Sequence, residues 1–186
     1  MTANIQAMKD NAMRDSLGDR MKRFEDVWRH KLVRRMPVVV RVDGKAFHTL
    51  TRGMRKPFDQ DFTEAMLEVG KALCEEMQNA RLAYVQSDEV SILLVDYHAL
   101  DTEAWFDNNL QKVVSVAASV ATVAFNDHRW GNPTPRGTFD ARAFNIPRED
   151  VTNYFVWRQQ DAIRNSIQGL GQAHFSAKQL HGVNCD

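Results

Sequence analysis

The chain has almost no cysteine: two residues in 186, Cys74 and Cys185. That excludes a disulfide framework and the paired spacing of a zinc knuckle. Cys74 falls on an apolar helical face, where a thiol is an inert core residue. No apolar run approaches the ~20 residues a membrane span needs. The polar, mixed-charge stretch from Met1 to Arg20 holds no apolar signal-peptide core. The compartment expected is the reducing cytoplasm, with no membrane partner. Internal repeats and low-complexity tracts are also missing.

Net charge is absent too, with 24 Lys and Arg against 24 Asp and Glu, yet the charges are unevenly placed. Residues 1–60 hold 14 basic against 7 acidic side chains, and the remainder holds 10 against 17. Such asymmetry suits a protein that holds a polyanion on one side and metal ions on the other. A solvated basic helix accounts for it equally well. A hydrophobic share of 44% and 26% charged residues describe one ordinary globular domain with a core and room for a small appendage.

Residues 1–15 read as weakly structured. Ser16 can cap a helix whose apolar positions Leu17, Met21, Phe24, Val27, Trp28 and Leu32 recur at helical spacing, ending near Arg34-Arg35-Met36-Pro37. Val38–Val42 is a short β-branched strand. Phe62, Met66, Val69, Leu73 and Met77 mark a helix over about 59–79. Leu82–Val85 and Val90–Val95 form a hairpin around Gln86-Ser87-Asp88-Glu89. A small-residue stripe including Val113, Ala117 and Ala121 marks a helix over about 102–126, broken by Pro133 and Pro135. Thr138–Asn145 is a fourth strand. Pro147 opens a last helix through about Gly169, in which Tyr154, Phe155 and Trp157 are expected to anchor against the core.

The order β-α-β-β-α-β is the α+β, ferredoxin-like arrangement, an antiparallel sheet with helices on one face, here with flanking N- and C-terminal helices. It places the first strand centrally, with the first strand of the hairpin expected as its neighbour. The expected units are an N-terminal helical segment (1–36), a palm domain with its closing helix (37–170), and the start of a C-terminal region (171–186).

Two acidic pieces then fall at strand ends. Arg41-Val42-Asp43-Gly44-Lys45-Ala46-Phe47-His48 follows the first strand, and Ser87-Asp88-Glu89 sits in the hairpin. An isolated Asp-Gly is a turn and an isolated Ser-Asp-Glu a hairpin tip. On adjacent strands of one palm, their carboxylates can share two divalent ions, as phosphoryl transfer requires. Asp43 and Asp88 are the expected metal ligands, Gly44 can add a backbone carbonyl, and Glu89 is the third carboxylate. The amides of Lys45, Ala46, Phe47 and His48 can cradle phosphate. Arg55, Lys56 and Lys112 are available for a triphosphate tail.

Several segments together resemble one family. They are Arg41 through His48, Lys56-Pro57, Tyr84-Val85-Gln86-Ser87-Asp88-Glu89, Phe139-Asp140-Ala141-Arg142 and Trp157-Arg158-Gln159-Gln160-Asp161. In order and spacing, over roughly residues 37–170, they are similar to the tRNA-His guanylyltransferases and their bacterial, archaeal and phage-like relatives, the 3′-to-5′ polymerases. The resemblance implies a polymerase-type palm working in reverse. A tRNA 5′ end, activated by ATP or carrying a triphosphate, is attacked by the 3′-hydroxyl of an incoming nucleotide, GTP in the type reaction.

It further implies that Asp43, Gly44 and Asp88 bind two Mg2+ ions, with Glu89 completing the acidic cluster. Asp43 through His48, Ser87 and Asp88 would line the nucleotide site, with Lys56 on the triphosphate. After Trp157-Arg158-Gln159, eukaryotic members carry His-Ile-Asn-Asn where this chain has Ile163-Arg164-Asn165-Ser166. Asn165 is the asparagine retained and joins the implied nucleotide-binding set. That departure resembles the non-eukaryotic branch, whose expected activity is template-dependent repair of 5′-truncated tRNA. The family also implies a homotetramer, and a C-terminal region longer than the one ending at Asp186. The rival readings are a palm-fold GTP cyclase and a non-catalytic RNA- or nucleotide-binding module.

Overall fold

The computed structural model describes residues 16–128 and 136–184. The expectations for residues 1–15, for Pro133 and Pro135, and for Cys185 lie outside them. Residues 16–26 form helix α1. Four strands follow, β1 (Val38–Gly44), β2 (Ala80–Gln86), β3 (Glu89–Leu94) and β4 (Phe139–Asn145). Between and after them lie α2 (Phe47–Leu50), α3 (Gln60–Glu76), α4 (Leu110–Asp127), α5 (Val151–His174) and α6 (Ala177–Leu180).

The four strands form one antiparallel sheet in the order β2-β3-β1-β4. This is the ferredoxin-like α+β topology, with one correction. The neighbours of β1 are β3 and β4, not β2. Helix α3 crosses over between β1 and β2, so the hairpin returns its second strand to the centre and leaves β2 at the edge.

Alternation along the strands separates two faces. Val38, Val40 and Val42 of β1 join Val90 and Ile92 of β3 against Val69 and Leu73 of α3 and Val113, Ala117 and Ala121 of α4. The small residues of α4 let that helix lie close to the sheet. Arg41 and Asp43 of β1, Glu89 and Ser91 of β3, and Asp140 and Arg142 of β4 share the opposite face by register. Helix α5 lies on part of that second face, where Tyr154 packs on Phe144 at 5.9 Å and Phe155 on Tyr84 at 6.4 Å. Trp157 departs from the expected anchoring role, being 51% exposed.

Two helices are shorter than their stripes suggest. Helix α1 stops at residue 26 because the following backbone bonds elsewhere: Leu110 N donates to His30 O at 2.9 Å and Leu32 N to Asn108 O at 2.9 Å. Helix α4 begins at Leu110 rather than near Thr102. Phe106, Asp107 and Asn108 adopt left-handed φ values of 51°, 49° and 56°, and Asn109 caps the helix by accepting from Lys112 N at 3.2 Å. Cys74 packs half-buried against the core, and burial pushes its thiol pKa up, consistent with an inert thiol.

Candidate active site

The acidic end of the sheet is built by register. Asp43 pairs with Glu89 on one side and Asp140 on the other, so three carboxylates stand at one level of one face. The two-residue turn Ser87-Asp88 joins β2 to β3, with Ser87 at φ 49°. Gly44 N donates to Asp88 O at 3.0 Å, which ties that turn to the end of β1. Burial, then the neighbouring charges of Asp88, Glu89 and Asp140, hold the Asp43 carboxyl above the usual carboxylate range, and Arg142 pulls the other way. Arg142 is itself 3.3 Å from Asp140.

The loop after Asp43 is pinned from beneath. The Phe47 ring is buried among Phe62, Phe125 and Phe139, with centroids 5.0–6.1 Å away. A Cβ on Gly44 would meet that ring at 2.5 Å, so the approach requires glycine. Lys45 N donates to Thr138 O at 2.8 Å, and Asn126 holds Gly137 through both of its amide atoms. Phe47 therefore contributes backbone to the site and side chain to the core. Lys45, Ala46 and His48 are exposed, and the first amides of α2 have no intrahelical acceptor.

Beside the Ser87 turn lies a cleft of about 440 Å³ between the Arg55–Asp59 loop, α3 and α5. Lys56, Ser87 and Asn165 line it, with an apolar wall that includes Met54, Phe62 and Val85. Asp59 shapes its rim: one carboxylate oxygen accepts from Phe62 N and the other from Arg55 N, both at 3.0 Å. Those backbone hydrogen bonds hold the Asp59 pKa below the ordinary carboxylate value. Asp43 and Asp88 do not line the cleft, although Asp88 follows Ser87 directly in the turn.

Lys112 is not brought to this end. It lies in the first turn of α4 with its ammonium 5.6 Å from the Phe106 ring. At ~1.5 Å per residue it stands about 20 Å along the helix from Asn126, which holds the acidic end. Conversely, the structure brings in Asp140, Arg142 and Arg158. The alternation of Asp140 and Arg142 with Ala141 and Ala143 could have shown that both charges share a face.

The donors at the acidic end are hard oxygens around a half-buried carboxylate whose charge nothing nearby fully offsets. Among the described residues no group of three or more His, Cys, Asp or Glu side chains is gathered tightly enough to cage an ion. Hard oxygen donors are the kind that suit Mg2+, which is commonly held by one or two carboxylates and completed by substrate phosphates.

Comparison with known proteins bears on the family and the fold. The family model described as tRNAHis guanylyltransferase (Thg1) matches residues 18–147. The chain belongs to that family. Members of the tRNAHis guanylyltransferase family are nucleotidyltransferases that process tRNA. A bacterial tRNA(His) guanylyltransferase (Thg1)-like protein solved with ATP is 53% identical, with a TM-score of 0.88 over 90% of this chain and 75% of that one. One solved with GTP is 54% identical, with a TM-score of 0.83 over 86% and 77%. The tRNA(His) guanylyltransferase of Debaryomyces hansenii is 32% identical over 141 residues, which are 70% of this chain and 51% of that protein. The chain thus spans about half the length of that curated relative. No helix among the described residues is long and apolar enough to cross a membrane.

Proposed function

We propose that the chain is a Mg2+-dependent nucleotidyltransferase of the cytoplasm, with residues 37–170 as its catalytic palm. It adds nucleotides, GTP in the type reaction, to the 5′ end of tRNA in the 3′-to-5′ direction. The observation that carries this reading is the placement of Asp43 beside the Asp88 turn, next to a cleft of about 440 Å³. That volume lies within the ~300–1,000 Å³ typical of small-molecule sites. The similar bacterial proteins solved with ATP and with GTP support nucleotides as substrates here.

In this reading Asp43, Asp88 and the Gly44 carbonyl would hold the metal, which neutralises phosphate charge and aligns the reacting oxygens. The amides of the loop from Lys45 to His48 receive phosphate oxygens. Lys56 and Arg55 offset triphosphate charge, and the apolar wall of the cleft takes the base. The stretch Ile163-Arg164-Asn165-Ser166 favours repair of 5′-truncated tRNA over guanylylation of tRNA-His alone.

A homo-oligomer belongs to this proposal, and α1 supplies a surface for the second copy. Every residue from 16 to 31 is exposed, yet isolated helices below ~12–15 residues are marginal in water. Within α1, Leu17, Met21 and Phe24 are spaced 4 and 3, an apolar seam of the coiled-coil kind. In a parallel pair, Arg20 and Glu25 flank that seam so that each faces the other residue of the partner.

The test is incubation with 5′-triphosphorylated, 5′-truncated tRNA, GTP and Mg2+. The product expected is RNA lengthened at its 5′ end. Consumption of GTP without RNA, to a cyclic product, would replace the proposal with the cyclase reading. RNA binding with no product under either condition would favour the non-catalytic module.

A further inference from the structure

Glu89 stands level with Asp43, but its carboxylate is already occupied. Arg158 reaches it in a fork, Nε to Oε1 and Nη2 to Oε2, both at 2.9 Å. The Ser91 hydroxyl donates to Oε1 at 3.3 Å, and Arg41 Nε lies 3.9 Å from Oε2. Both partners are buried, Glu89 at 7% and Arg158 at 6% exposure. A forked arginine is the strongest ordinary partner a carboxylate has, and it offsets the charge that Glu89 would otherwise offer a metal ion.

We propose that Arg158 is a positioning residue, anchored by Glu89, that sets the height of α5 over the nucleotide cleft. Only Tyr154 and Arg158 are buried along α5. They lie four residues apart on one face. Tyr154 completes that attachment through its hydroxyl, 2.9 Å from the Ser91 hydroxyl. Continuing along the same stripe, Ala162, Asn165, Ser166 and Gly169 line the cleft opposite Lys56 and Ser87. Arg158 is therefore the last buried attachment before α5 overhangs the cleft. Its Nη2 also donates to Asp161 Oδ2 at 3.0 Å, and Asn165 donates to that same carboxylate oxygen at 3.3 Å. One guanidinium thus couples the sheet end to the asparagine that faces the cleft. Glu89 becomes an anchor for α5 rather than a free carboxylate of the acidic cluster.

This inference rests on the reading of the cleft as a nucleotide site. The test measures KM and kcat for GTP, with melting temperature, in wild type, Arg158→Gln, Glu89→Gln and the double variant. Arg158→Gln leaves a buried carboxylate without its partner, and its KM is expected to rise by about tenfold or more, as losses of supporting contacts do. Glu89→Gln keeps the shape of the side chain, and its loss is expected mainly in KM. Pairing two neutral amides in the double variant should recover most of the KM lost in Arg158→Gln.

Glu89→Gln losing kcat as Asp88→Asn does, at unchanged KM, would overturn the anchor role and make Glu89 a ligand beside Asp43 and Asp88. An Arg158→Gln KM equal to that of wild type would overturn the positioning role alone. Where Arg158→Gln fails to fold, Glu89→Gln still decides between anchor and ligand. Wild type showing no saturable dependence on GTP would overturn the cleft reading itself.

Discussion

Asp43 and Glu89 are directly paired across β1 and β3, yet only Glu89 is bound by an arginine. Two carboxylates at one level of a sheet repel each other. Arg158 pairs with Glu89, whereas Asp43 has no such fork, and Arg142 only partly offsets its burial and its acidic neighbours. Asp43 is kept in this state at a cost to the fold, and that cost makes a cation welcome there.

The first prediction concerns that cost. A carboxyl whose folded pKa is raised loses stability when it ionises, so the metal-free protein is expected to gain stability from this group as pH falls through the raised value. The gain is complete at the ordinary carboxylate range. Asp43→Asn should therefore melt higher than wild type near neutral pH without Mg2+, while losing activity. The difference in melting temperature between the two should shrink on acidification. An Asp43→Asn variant that melts lower at neutral pH would contradict it.

Gly44 and Phe47 form the floor of the loop. Gly44→Ala drives a methyl into the Phe47 ring, and overpacking of this kind costs about 1–3 kcal/mol. Phe47→Ala empties a position that is 2% exposed and costs about 3–5 kcal/mol. Urea denaturation measures both, and Gly44→Ala should lose activity beyond its loss of stability because the loop moves.

Lys56 and Lys112 separate by position. Lys56→Ala should raise KM for GTP with little change in melting temperature. Asp59→Ala should raise KM and also lower the melting temperature, because it removes a helix cap worth about 1 kcal/mol along with the bond to Arg55. Lys112→Ala, at the far end of α4, should leave KM within about twofold, as surface changes away from a site do.

The α1 seam gives a prediction in mass. Met21→Glu places a charge in the seam and should lower the molecular weight seen by light scattering, with no change in the melting of the palm. Arg20→Glu should weaken the assembly, and adding Glu25→Arg should restore it.

Much of the site was legible because it is local. The Val38–Val42 run followed by Asp43-Gly44, and the hairpin around Ser87-Asp88, each announce a strand end with a carboxylate, and the family motifs carry them to one chemistry. What depended on distant contacts was not legible. Arg158 meets Glu89 across 69 residues, and nothing in the local pattern at either position points to the other. Lys112 offered a charge of the right sign, but composition does not say which end of a helix a residue occupies. The neighbour of β1 depends on how α3 crosses over rather than on either strand's residues. The stripe of α1 runs on to Leu32, but the backbone of residues 30–32 is claimed by the segment leading into α4.

The most direct test of the nucleotidyl-transfer site compares wild type with Asp88→Asn. The measurement is the rate of 5′ extension of truncated, 5′-triphosphorylated tRNA at saturating GTP and Mg2+. Loss of a metal ligand that stabilises developing charge by several kcal/mol is expected to slow the variant by roughly a hundredfold or more, at an unchanged melting temperature. Extension by Asp88→Asn at the wild-type rate would contradict the account.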